Sequence, residues 1–161
     1  MCKFFDNNRG MSLIELVVTM VILSILAGLI LPSAKLASTR TKELELRRSL
    51  REIRTALDEY HKEWVKASEG KPEVIDDHGY PETLEVLVEG KDFGGLSKTP
   101  KKFLRRIPKD PFDPDPTDDV LWGMRAYTDE PDSSSWGGDD VFDVYSQSEA
   151  TAIDGTKYKD W

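Results

Sequence analysis

Apolar and charged positions are unevenly divided along this chain. No charged residue occurs from Leu16 to Leu31, whereas charge is dense after Lys35. Met11 to Leu31 is a 21-residue, almost wholly apolar run. At about 1.5 Å per helical residue that is enough to cross a hydrocarbon core of ~30 Å. Beyond Pro32 the pattern becomes amphipathic. Leu46, Leu50, Ile53, Leu57, Tyr60 and Trp64 recur in steps of four, three, four, three and four. That spacing marks one face of a helix. The helix is expected to end near Glu69-Gly70, with Lys71-Pro72 as the stop. The two stretches together predict one helix of about 55 residues, roughly 80 Å long.

The remainder is loop-rich at first and then strand-like. A short helix is expected from Glu82 to Val88, after Tyr80-Pro81. Prolines between Pro108 and Pro116 exclude regular structure there. "VLWGMRAYT" and "DVFDVYS" have strand composition and partial alternation, and "DEPDSSSWGGDD" is the long connection of a hairpin. "GTKYKDW" is expected to add a short edge strand. The order predicts an α+β fold in which a small antiparallel sheet packs on the amphipathic half of the long helix.

Composition narrows the function. The 161 residues carry a net charge of −8, against the basic patches that nucleic acid rewards. Cys2 is the single cysteine, so no intramolecular disulfide can form. His61 and His78 lack an HExxH partner or a CxxC cluster. Glu59 and Glu63 lie four apart on the helix without a second titratable partner. No enzyme is indicated. Lys42, Glu43, Glu45, Arg47, Arg48, Arg51, Glu52 and Arg54 read as a solvated face with intrahelical ion pairs. Asp129, Asp132, Asp139, Asp140 and Asp143 read as a solvated hairpin. Trp64, Trp122, Trp136 and Tyr127 read as core or subunit-contact residues.

Glu15 disturbs the picture of a plain anchor. An acid at membrane depth calls for a named partner. It either stays wet at the headgroup level or pairs with a positive charge on another copy of the chain. Lys3 and Arg9 precede the apolar run and orient it with the acidic body outside the cytoplasm. No A-x-A-like signal-peptidase site follows the run.

"RGMSLIELVV" resembles the class III signal of type IV pilins and type II secretion pseudopilins. The resemblance implies cleavage after Gly10 by a prepilin peptidase and N-methylation of the new amine on Met11. Glu15 is then the family's fifth mature residue, and Pro32 its helix-kinking proline. Met11 stands where the family usually has Phe. Further along, "YPETLEVLV", "FLRRIPKDPF", "DVFDVYS" and the Asp160-Trp161 ending resemble, in order, segments of the major pseudopilins of type II secretion. The stretch "DPFDPDPTDDVLWG" is longer than the usual turn of that group.

The resemblance implies a type IV pilin-like fold in four parts. These are a leader at 1–10, a hydrophobic transmembrane or filament-core helix at 11–32, an amphipathic half at 33–69, and a globular part at 70–161. It implies a structural subunit of a periplasmic pseudopilus, anchored in the bacterial inner membrane before assembly. Its partners would be further copies, minor pseudopilins, the inner-membrane assembly platform and the outer-membrane secretin. A type IV pilus subunit is the alternative within the class. A membrane-anchored, calcium-binding domain or enzyme that never polymerises is the alternative outside it. The resembling major pseudopilins bind one calcium in the C-terminal loop. Here that implies Asp154 and Asp160, with Ser146 or Glu149, although the spacing is not an EF-hand loop.

Overall fold

The computed structural model describes residues 10–68, 78–94, 99–113 and 122–161, and the side chains of 29–33 lie outside that description. Residues 1–9, with Cys2, Lys3 and Arg9, are likewise outside it. The chain divides into two units, Met1–Thr39 and Arg40–Trp161. Helix α1, Leu13–Ser68, has residues in both.

In the first unit the described apolar side chains of the helix are not covered. Leu13, Ile14, Leu16, Val17, Val18, Met20 and Val21 are all exposed, as are Ile22, Leu23, Ile25 and Leu26. Two of its hydroxyl residues bond to the helix's own carbonyls. Thr19 donates to the Leu16 carbonyl at 2.9 Å, and Ser24 to that of Met20 at 2.8 Å. Such local bonds let polar side chains sit in apolar surroundings. Among the described residues no helix is long and apolar enough to cross a membrane. Of the expected span Met11–Leu31, helix begins at Leu13 and described side chains end at Gly28. That covers roughly 24 Å, short of a ~30 Å core. Pro32 lies within α1, and its side chain falls outside the described residues.

The second unit is built on the amphipathic half of α1. Leu46, Leu50, Ile53, Leu57 and Tyr60 are buried, as their spacing predicts, and Ala56 joins them. Trp64 is only partly buried and stacks on His61. Helix α2 spans Glu85–Glu89. It starts three residues later than expected, because the chain before it is held elsewhere. The Pro81 carbonyl accepts from the Val141 amide at 2.8 Å, and Leu84 turns into the core.

Strands β1, Trp122–Arg125, and β2, Asp143–Ser146, pair antiparallel with Trp122 opposite Ser146 and Arg125 opposite Asp143. They lie within the two strands expected, of which Val120 and Leu121 fall outside the described residues. Gly123 is required at its position. A Cβ there would lie 2.3 Å from the Tyr145 ring, which crosses it from the neighbouring strand. The anticipated edge strand in "GTKYKDW" does not form. Thr151 and Lys157 make one isolated bridge, and Tyr158–Asp160 winds into a 3-10 turn. Gly155, at φ 88°, reverses the chain between them, a conformation open to glycine without a Cβ penalty. The winding sends Tyr158 into the core rather than along a sheet edge, leaving it 1% exposed.

One core joins these elements. Leu46, Leu50, Ile53, Leu57 and Tyr60 of α1 meet Leu84, Leu87, Leu104, Trp122, Val141, Val144, Ala152 and Tyr158. Each large aliphatic side chain buried this way contributes about 1.5–3 kcal/mol. The "FLRRIPKDPF" segment threads the same core. Leu104 is buried, and the Pro108 carbonyl accepts from the Trp122 indole at 2.9 Å. Phe112 stacks on Tyr158 with centroids 3.9 Å apart.

Candidate functional site

Two regions carry the chemistry suggested by the sequence: the start of α1 and the C-terminal loop. At the first, Gly10 and Met11 are exposed and precede the helix. Nothing lies within 4 Å of the position a Cβ would take on Gly10. Gly10 and Met11 thus lie outside helical hydrogen bonding. The Ser12 carbonyl accepts the Leu16 amide at 3.1 Å, starting the ladder just beyond them. Glu15 lies in the first turn, where a carboxylate is favoured by the helix dipole. It is exposed and surrounded along the helix by exposed apolar side chains.

At the second region the structure scatters the four residues expected to bind calcium among separate partners. Ser146 is fully buried and donates to Asp110 Oδ2 at 2.5 Å. Glu149 faces Lys159 at 3.3 Å and Lys157 at 3.9 Å. Asp154 Oδ1 accepts from the Thr156 hydroxyl at 2.6 Å and the Thr156 amide at 3.0 Å, while Oδ2 lies 3.6 Å from Arg47. The Thr156 bonds, with Arg47 adding to them, hold the Asp154 carboxyl below its ordinary pKa. Asp160 belongs to the 3-10 turn and is exposed. Among the described residues no group of three or more His, Cys, Asp or Glu is arranged to hold a metal. Calcium wants six to eight converging oxygens, and this donor set, as it stands, does not fit it.

The loop is instead tied to α1 by residues read from the sequence as a solvated face. Arg54 Nε donates to Asp143 Oδ1 at 2.7 Å, and Nη2 approaches Oδ2 at 3.3 Å. Nη2 also donates to the carbonyls of Val144 at 3.1 Å and Trp161 at 2.9 Å. Glu43 Oε1 accepts from the Ile153 amide at 2.8 Å and the Tyr158 hydroxyl at 3.1 Å. Burial, reinforced by that Glu43 bond, pushes the Tyr158 hydroxyl up to about 12. Arg47 lies over the Trp161 ring at 4.1 Å. Glu43, Arg47 and Arg54 stand on one side of α1, beside the apolar face. Their helical phase was visible in the sequence, but their distant partners were not.

Other expectations are corrected in the same way. Asp129 caps the hairpin, accepting the Ala126 amide at 2.7 Å and the Gly137 amide at 3.0 Å. Asp140 is buried and accepts the Tyr127 amide at 2.8 Å. His78 meets the hairpin. Its Nδ1 is 3.4 Å from Asp140 Oδ2, and its ring stacks on Tyr127. His61 is partly buried and stacks on Tyr80 with centroids 4.6 Å apart. Lys66–Glu63 is an intrahelical ion pair of the expected kind, and Lys101 joins it from outside α1. Trp122 is a core residue, whereas Tyr127 and Trp136 remain exposed.

Residues 5–31 match the prokaryotic N-terminal methylation motif. That motif overlaps the start of α1, and the long helix with a small antiparallel sheet is an α+β arrangement of the kind expected for a pilin-like fold. The core protein G of the type II secretion system of Escherichia coli (strain K12) is 29% identical over 112 residues. The match covers 66% of this chain and 68% of that protein. No solved structure matches.

Proposed function

We propose that this chain is a non-enzymatic structural subunit of a periplasmic pseudopilus that drives export of folded proteins by type II secretion. The observation that carries the reading is the start of α1. An exposed Gly10 and Met11 lead into a helix whose described apolar side chains are exposed, with one acid in its first turn. Such a helix needs lipid or other helices around it. In this reading the precursor is anchored in the inner membrane by that helix, its C-terminal domain in the periplasm. A prepilin peptidase cuts after Gly10, and Met11 becomes the N-methylated end. The assembly platform then moves the subunit from lipid into a bundle of like helices. Minor pseudopilins and the outer-membrane secretin complete the machine.

Glu15 has a physical role in this scheme. Cleavage creates an amine on Met11, a cation at a depth where cations are scarce. A Glu15 carboxylate on a neighbouring copy neutralises it as subunits stack, so neither charge stays buried alone. The pair sets register more than stability. Contacts that repeat head to tail without closing produce a filament rather than a ring. The test is a Glu15→Ala variant expressed with the secretion machinery. It is expected to insert into the membrane and to be cleaved, but to yield few fibres by negative-stain microscopy. Fibres in normal number and length would remove this account of the acid.

A further inference from the structure

We propose that this chain closes its C-terminal loop without calcium, using the cationic side chains of Arg47, Arg54, Lys157 and Lys159. The inference is independent of the filament reading. The acids that would coordinate a metal already meet other groups. Glu149 has Lys159 at 3.3 Å and Lys157 at 3.9 Å. Asp154 has Arg47 at 3.6 Å and two hydrogen bonds from Thr156. The two carboxylates are thus compensated by three cations. A calcium ion arriving there would meet repulsion from those cations and would compete with the Thr156 bonds to Asp154 Oδ1 and with the Lys159 contact to Glu149 Oε1.

Magnitudes divide the labour within the loop. The side chains of Arg47, Asp154, Lys157 and Glu149 are at least half exposed, and pairs of that kind contribute little each. Their effect is to cancel the charge that would attract a metal. The holding is done deeper. Arg54 bridges the β2 carboxylate of Asp143 and two main-chain carbonyls, one of them that of Trp161. Tyr158 is buried between Phe112 and Trp161, its hydroxyl bonded to Glu43. Ser146 is committed to Asp110 inside the core and cannot turn outward without leaving a buried carboxylate oxygen unpaired. From α1 the holding groups are the side chains of Glu43 and Arg54, which also meet main-chain atoms of Ile153 and Trp161.

The experiment is thermal unfolding of the full chain in detergent micelles, followed by tryptophan fluorescence, in EDTA and in excess calcium chloride. The expected Tm is the same in both to within about 1 °C, since a ligand that does not bind the folded state cannot stabilise it. A site filled at about a hundred times its Kd would raise the Tm by roughly 10 °C. A rise of that order, reversed by EDTA, would overturn the proposal. A Glu149→Gln/Asp154→Asn variant provides the second arm. Its Tm is expected to change slightly and equally in the two media. A loss seen only in calcium would show that these acids are metal ligands after all.

Discussion

Replacing Arg54 with Met tests whether the C-terminal loop is held by α1 as described. The thioether chain fills much of the same space but removes the guanidinium. Among the described residues Asp143 would keep Arg125, whose Nη1 lies 3.6 Å from Oδ2. The Val144 and Trp161 carbonyls would lose the Arg54 donor. Hydrogen bonds to charged groups contribute about 1.5–3 kcal/mol each. The full sum does not apply, because the Arg54 side chain is 39% exposed and water would re-solvate part of the site. The expected net loss is about 2 kcal/mol. For a domain of this size that corresponds to a fall in Tm of roughly 8 °C. Thermal unfolding of the full chain, followed by tryptophan fluorescence, reads it directly. A fall under about 2 °C would mean that solvent replaces these bonds without cost. Arg54 would then be the solvated surface charge that the sequence first suggests.

Two further substitutions probe the core. The Tyr60 hydroxyl is buried and has no hydrogen-bond partner among the described residues, while its ring packs against Phe93 and Phe103. Tyr60→Phe is expected to stabilise by about 1 kcal/mol in urea unfolding, and a loss of stability would reveal a partner for that hydroxyl. Tyr158 gives the fold an alkaline limit. Its folded pKa is raised from 10.0 to about 12, so the fold favours the neutral phenol. That contribution is fully present below the unfolded value of 10.0 and is lost as pH rises towards about 12. It amounts to about 3 kcal/mol. Tyr158→Phe should flatten the fall in urea midpoint across that window, and an unchanged slope would assign the fall to other groups.

The sequence was most informative where one rule acts locally. The four-three-four spacing of Leu46, Leu50, Ile53, Leu57 and Tyr60 identifies the buried face, since helical periodicity needs no knowledge of the partner. The two strands were likewise legible from composition and alternation. What remained hidden depends on distant contacts. Arg54 and Asp143 are 89 residues apart, and in the sequence each resembles an ordinary surface charge. The start of α2 moved because Pro81 is tied to Val141, a bond no local propensity encodes. The 3-10 turn at Tyr158 replaced a strand because burying that ring outweighed extending the chain. Asp154 and Glu149 showed an acidic composition, but only the fold reveals which cations reach them.

The central claim is that the apolar helix becomes a processed filament core rather than a plain anchor. The most direct measurement is the intact mass of the chain recovered from cells carrying a prepilin peptidase, with its N-terminal peptide sequenced by mass spectrometry. The account predicts a chain that begins at Met11, with Gly10 and everything before it removed. A chain that still carries Met1 or Cys2 in the presence of active peptidase would contradict it.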